Sequence, residues 1–325
     1  MKSVFSVVRM FGLGMLVAFS GYAAAQQAYP HKPIRFISPF SPGGGTTTVA
    51  RLIGQKMTES WGQYVIVDNR PGGNTIIGSE ALVRSAPDGY TIMIHASTHA
   101  INPSLFVLPY DTTKDFAPVA SVTSNEYMLV LHPSVPANNF QEFIALAKSM
   151  PGKLNYATTG TGSTQHLATE LLSIMTGIKM QHIPYKGGGP VMTAVVGGEV
   201  MLAFTGAHNS IPHLKVGRLK AIAISGEARL PALPQLPTFT DVGLRGFDVR
   251  NWYGVFAPAG TPKHIIDKLS TEIAKIMAKP DMEIKLAAIG LKPFVTTPEQ
   301  FAALIKVDIA KYARVIKTAK IKLEN

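Results

Sequence analysis

The chain has 325 residues, 46% of them hydrophobic and 16% charged, with a formal net charge of +11 and no cysteine. That apolar fraction excludes a disordered chain, and the length allows one large domain or two of ordinary size. The lack of cysteine excludes disulfides and thiolate metal sites.

Lys2 and Arg9 form a positive start, residues 10–21 are apolar but too short to span a bilayer, and Ala23-Ala24-Ala25 stands before Gln26. Together these read as a secretory signal peptide, residues 1–25, cleaved after Ala25; a buried first helix is the alternative. No later run approaches the roughly 20 apolar residues of a membrane span. The expectation is an exported, soluble mature chain of formal charge +9, since two basic residues leave with the leader. Its densest basic patch is Lys306, Lys311, Arg314, Lys317, Lys320 and Lys322. These mostly alternate with apolar residues at helical spacing, which predicts a solvated helix face rather than a nucleic-acid surface.

Residues 34–39 read as a strand, and Val49, Leu52, Ile53 and Met57 share one helix face. Residues 65–67 form a second strand, closed by Asn69-Arg70-Pro71-Gly72-Gly73. Residues 76–84 read as a helix, and 91–95 as a third strand after the Asp88-Gly89 turn. A second series follows: strand 128–131, helix Phe140–Ser149 stopped by Pro151-Gly152, strand 154–157 and helix 166–175. Residues 200–204 and 219–224 read as strands with a polar turn after each, and 253–256 as another strand. Helices at Lys263–Met277 and 301–318 close the chain. Strands alternating with helices mean βαβ units and a parallel sheet. The segments "YMLVLHPSVP" and "WYGVFAPAGTP" are each a strand running into a proline-bounded turn. This suggests two halves built alike, with the chain crossing between them near residues 124–127 and 247–251.

Residues 41–48, Ser-Pro-Gly-Gly-Gly-Thr-Thr-Thr, stand between a strand and a helix, and residues 158–163, Thr-Thr-Gly-Thr-Gly-Ser, repeat the arrangement in the second half. In open α/β sheets ligands bind beyond the carboxyl ends of strands, where a helix starts with unsatisfied N–H groups and the positive end of its dipole. Glycines let the backbone come close, so a carboxylate or phosphate suits such a loop. The plain reading is a tight turn with Thr46 or Thr47 capping the helix; both readings stand at this point. A P-loop is excluded because no lysine follows Gly45, and a dinucleotide fingerprint because Gln165 stands where a third glycine is needed. His95 and His99 lack a carboxylate to complete a zinc site and read as loop or core histidines. Ser163 and His166 fall on one helical turn without a nucleophile elbow, so N-capping is the plainer role for the serine. Lys186-Gly187-Gly188-Gly189 reads equally as an anion loop or a flexible turn. Tyr90, Phe106, Tyr185, Phe204 and Trp252 are assigned mostly to core packing.

Taken in order, "PFSPGGGTTTVAR", "VIVDNRPGGNTIIGSEAL", "APDGYTIMI", "YATTGTGSTQHLATELL", "HIPYKGGGPVMTAVVGGEV", "RLKAIAISGEARLPALPQLPTFTDVG" and "WYGVFAPAGTP" are similar to one family over nearly the whole mature chain. It is the family of tripartite tricarboxylate transporter solute-binding proteins, also called the Bordetella uptake gene family. The resemblance implies an α/β, two-domain periplasmic-binding-protein fold of type II. Each domain would be a mainly parallel sheet flanked by helices, with the ligand cleft between them. Residues 26–125 plus 248–325 would form one domain and 126–247 the other. It further implies a periplasmic, monomeric receptor without catalysis or cofactor. Such a receptor captures an aromatic acid or a di- or tricarboxylate by domain closure and delivers it to inner-membrane transporter subunits. A ligand-sensing subunit of a signalling system, or a hydrolase using Ser163 and His166, are the rival readings.

Carried over by motif, the ligand contacts are Ser41, Pro42, Gly43, Gly44, Thr46, Thr47, Ser97 and Thr98 in the first domain. The second supplies Thr158, Thr159, Gly160, Ser163, His166, Thr205 and Gly206. Two positions depart from the pattern. The family usually has aspartate where Thr47 stands; threonine keeps the cap and removes a negative charge, which suits a more anionic ligand end. Ala194 stands where an acidic residue is common and reads as surface variation.

Overall fold

The computed structural model describes residues 29–185, 188–226, 228–247 and 249–321. The expected signal peptide, Lys186, Gly187 and Lys322 lie outside them. The apolar strand β1 (Ile34–Ser38) is flanked in parallel by β2 (Val65–Asn69) on one side and β3 (Thr91–Ala96) on the other. Helix α1 (Gly45–Trp61) lays Val49, Ile53 and Met57 on this sheet, fully buried as its periodicity predicts, while Leu52 of the expected face is only partly buried and Ala50 is buried beside them. It ends at Gly62, whose left-handed φ of 67° returns its N–H to the Thr58 carbonyl. Helix α2 (Ile76–Val83) and the short α3 (Thr98–Ile101) follow.

The sequence reading puts a strand only at residues 128–131, but β4 (Phe116–Leu131) runs for 16 residues. Its first part pairs antiparallel with β9 (Arg250–Pro258), from Phe116↔Pro258 to Glu126↔Arg250. Its last five residues pair antiparallel with β7 (Leu202–Gly206), and residues 128–131 with β8 (Lys220–Ile224). One strand thus belongs to two lobes. In the second lobe β5 (Asn155–Thr158) runs parallel to β6 (Gln181–Pro184) and to β7. The strand order is β2-β1-β3-β9-β4-β7-β5-β6, with β8 and the two-residue β10 (Lys292–Pro293) joined to β4. The βαβ strands are parallel as expected, while the strands that carry the chain between lobes run antiparallel.

Helices α4 (Phe140–Ser149), α5 (Thr164–Thr176), α6 (Gly188–Val196) and α7 (Ala207–Lys215) belong to the second lobe. The first lobe is completed by α8 (Lys263–Met277), α9 (Pro280–Ala288) and α10 (Pro298–Ala319), the last opened by a capping box of Thr297 and Gln300. The polar turn expected after residue 204 is instead α7, which holds Pro212 inside it. Ile34, Phe36, Ile92, Leu269 and Ile273 form the core under α1 and α8. Trp252, Phe256, Phe301 and Tyr312 form a second core under α10, and Leu167 of α5 joins it, so α10 ties the lobes together on one side. Trp252 Nε1 donates to Asp308 Oδ2 at 2.7 Å, and Lys311 lies 2.8 Å from the same carboxylate. Phe204 and Trp252 are core residues as expected. So is Ala194, at 1% exposed, which corrects its reading as surface variation. On α10, Lys306, Arg314 and Lys317 face solvent and Lys311 is half-buried, while the exposed Lys320 stands just past the helix end. Among the described residues no helix is long and apolar enough to cross a membrane.

Candidate functional site

A cavity of about 770 Å³ lies between the lobes, at the carboxyl ends of the parallel strands. The loop after β1 reaches it with Ser41, Gly43, Gly44 and Thr46, and Thr98 enters from the loop after β3. Thr159 and Ser163 enter after β5, and Gly206 after β7. These are eight of the fifteen residues expected from motif. Pro42, Thr47, Ser97, Thr158, Gly160, His166 and Thr205 are not among the residues that line it. Gly188 and Gly189 line it too, which brings the second half of the Lys186–Gly189 turn to the site.

Several helices begin here: α1, α3, α5, α6 and α7 all place first-turn or flanking residues in the wall. The N-cap of α1 is Gly44, without a side-chain cap, and its first turn carries no acidic residue. This corrects the expectation that Thr46 or Thr47 caps it. Gly206, the N-cap of α7, also lacks a side-chain cap. Uncapped first-turn N–H groups and an uncompensated dipole make a site for an anion. Among the described lining residues none is charged, so the field at the site comes from backbone and neutral side chains.

The residues behind the wall are engaged with one another. Thr47 is fully buried and its hydroxyl accepts from Asn69 Nδ2 at 2.7 Å, while Asn69 also donates to the Phe40 carbonyl at 2.9 Å. The Ser97 hydroxyl donates to Asn251 Oδ1 at 2.8 Å, and Asn251 Nδ2 donates to Asn125 Oδ1 at 3.1 Å. Thr164 Oγ1 of the second lobe lies 3.0 Å from the same Ser97 hydroxyl. Ser163 is the N-cap of α5, its Oγ accepting the His166 N–H at 3.3 Å, as expected. The His166 ring turns away from Ser163: its Nδ1 accepts from the Gly162 N–H at 3.1 Å, and it stacks on His182 at 3.9 Å. Thr158 Oγ1 lies 2.6 Å from His182 Nε2, and Thr205 bonds Ser210. Burial, then the neighbouring His182, lowers the His166 pKa to about 3; burial lowers that of His182 to about 4. His95 and His99 are core histidines as expected, their rings 5.2 Å apart among Phe40, Phe116 and Phe256.

Sequence reasoning missed the floor. Asn125, Asn251 and Tyr253 lie where β4 and β9 pair, with Asn125 opposite Asn251, and Tyr127 follows where β4 passes to β7. A Cβ on Gly45 would come 2.6 Å from the Tyr253 hydroxyl, so only glycine there lets that ring reach the start of α1. Burial pushes the Tyr253 pKa up to about 12 and raises that of Tyr127 as well, so both hydroxyls stay protonated. Asn74 and Thr75 also line the cavity in left-handed backbone, φ 50° and 77°. Asn102 pins them, donating to the Asn74 carbonyl at 2.8 Å and to Thr75 Oγ1 at 3.2 Å. Such strain in a β-branched residue is typical of a functional site. The phrase "PGGNT" was its only trace in sequence.

Solved structures that share this architecture include three at 31–32% identity. BugD, a periplasmic binding protein, is 31% identical with a TM-score of 0.79, over 91% of this chain and 100% of its own. Rpa4515 of R. palustris, solved with adipate, is 32% identical with a TM-score of 0.81, over 90% and 99%. MatC of Rhodopseudomonas palustris, solved with bound malate, is 31% identical with a TM-score of 0.77, over 89% and 100%. The fold is the two-domain α/β fold of type II periplasmic binding proteins. Residues 49–321 match the tripartite tricarboxylate transporter family receptor, and with the helix starts converging on one neutral cavity, the chain belongs to that receptor family.

Proposed function

We propose that the protein is a periplasmic receptor that captures a small organic carboxylate between its lobes and hands it to the membrane subunits of a tripartite tricarboxylate transporter. The carrying observation is the convergence of uncapped helix starts, α1 from one lobe and α7 from the other, on a cavity whose described lining holds no charge. The adipate of Rpa4515 and the malate of MatC support the carboxylate class. Ser41, Gly43, Gly44, Thr46, Thr98, Thr159, Ser163 and Gly206 are the assigned contacts, with Tyr127 and Tyr253 as neutral donors from the floor. Pro42, Thr47, Ser97, Thr158, Gly160, His166 and Thr205 hold the loops from behind. Domains of 26–125 plus 248–325 and of 126–247 fit the change of strand partner at Glu126 and Tyr127. Closure would then bend the chain there and at residues 247–250.

The test is a thermal-shift and calorimetric screen of the mature chain against aromatic, di- and tricarboxylates. A ligand at a hundred times its Kd adds about 2.7 kcal/mol, a rise of roughly 4–5 °C for a chain this long. No response across the panel, before and after unfolding and refolding to strip a carried ligand, overturns the carboxylate reading. Ligand-dependent binding to detergent-solubilised transporter subunits tests delivery.

A further inference from the structure

We propose that this site, read as a carboxylate receptor, selects acids with a hydrocarbon body over hydroxylated ones, and that Ile289 is a specificity-determining residue. One side of the cavity is apolar: Pro39, Phe40 and Pro71 beside the first loop, and Ile289 and Leu291 from the segment between α9 and β10. Leu291 belongs to the core of the first lobe and Ile289 packs on it partly buried. Phe40 is fixed by the Asn69 bond to its carbonyl and by edge-on contact with His95 at 5.8 Å between ring centres. The wall is therefore preformed.

The polar groups near it are largely committed. Asn74 Nδ2 donates to Asn102 Oδ1 at 2.8 Å, the Thr75 hydroxyl takes an Asn102 proton, and Asn125 and Asn251 hold each other. The Thr159 hydroxyl donates to Gln165 Oε1 at 3.0 Å. The groups left for the ligand are the backbone N–H groups at helix starts and the donors of Ser41, Thr98, Tyr127, Asn209 and Tyr253, which suit carboxylate oxygens, whereas the wall of Pro39, Phe40, Pro71, Ile289 and Leu291 side chains offers an acid's body no polar partner. A hydroxyl on the body of the acid would lose water without gaining a partner, whereas a methylene gains by burial. Each methylene buried against the wall is worth about fourfold in affinity, and each unmatched hydroxyl costs about tenfold.

Adipate and its 2,3,4,5-tetrahydroxy counterpart form a matched pair of equal length and charge. Calorimetry of the mature chain is expected to give adipate at least tenfold tighter. Ile289→Thr is expected to weaken adipate about fivefold and leave the tetrahydroxy acid unchanged or tighter, with Ile289→Val close to wild type. Equal or tighter binding of the tetrahydroxy acid overturns the proposal and leaves the carboxylate reading standing. An unchanged ratio in a folded Ile289→Thr variant overturns the role of Ile289. If no acid in the wider panel binds, both readings fall.

Discussion

The two glycine-rich loops look alike in sequence and do different work. In residues 41–48 the glycines lead into an uncapped helix, and the backbone N–H groups at its start have no side-chain partner. In residues 158–163 the polar groups satisfy one another: Thr158 with Gly160 and His182, Thr159 with Gln165, Ser163 with the His166 N–H, and Gly162 with His166 Nδ1. The first loop is open to a guest, and the second is a braced wall. Composition alone does not decide whether a Gly-Thr-rich turn binds; what matters is whether neighbouring side chains already meet its donors.

The sharpest way to break the comparison is Gly44→Asp. Gly44 has ordinary extended backbone, φ −76°, and its Cβ would touch nothing closer than the Ser41 carbonyl at 3.7 Å. The new carboxylate caps α1, so carboxylate affinity should fall about 100-fold, or 2.7 kcal/mol, while stability holds or rises by about 1 kcal/mol. Calorimetry and thermal melts read the two opposite signs. A drop in both would mean the first loop is structural like the second.

The braced loop should instead respond to acid. His166 is neutral in the folded protein down to about pH 3, whereas the unfolded chain takes up its proton below about pH 6.5. The stability it supports is therefore complete above pH 6.5 and declines as pH falls, by about 2 kcal/mol at pH 5. His166→Phe should flatten part of that decline in Tm-against-pH profiles and lower stability at pH 8, because the Gly162 N–H loses its acceptor. Gly162→Ala should cost about 1 kcal/mol or more at neutral pH. Its φ is 77° and the added Cβ would clash with Leu105 Cδ1 of the first lobe. Ser97→Ala breaks the hydroxyl bridge from Asn251 to Thr164 and should cost about 1 kcal/mol, with a larger radius of gyration in solution scattering of the ligand-free protein. Thr47→Asp is the mildest change for binding, since Asn69 still has an acceptor, although a carboxylate at this fully buried position should cost stability. A severalfold loss of affinity for the more anionic ligands is expected, and unchanged affinity and rank order would remove any electrostatic role for this position.

Much of the framework was legible because helix faces such as Val49, Ile53 and Met57 repeat at the helical period. The first part of β4 was not: "FAPVASVTSNEY" contains Pro118 and a polar run, yet those residues are mostly buried. The Ser121 hydroxyl finds its partner far away, donating to the Phe294 carbonyl at 2.6 Å across a separation of 173 residues. Helix α7 was hidden by Pro212, which ordinarily argues for a break. At the site, the loops were visible through glycine and threonine. The floor was not, because Asn125 and Asn251 are neighbours only through an antiparallel register spanning 126 residues. Ile289 and Leu291 looked like ordinary apolar residues near a helix end.

The two long strands also set the order in which the chain can assemble. Strands β4 to β8 of the second lobe come from one uninterrupted stretch, residues 127–224. The first lobe needs β9 between β3 and β4, so an open edge remains on β3 until residues 250–258 have emerged. A nascent chain can therefore complete the later lobe before the earlier one, leaving its first third waiting for its last quarter.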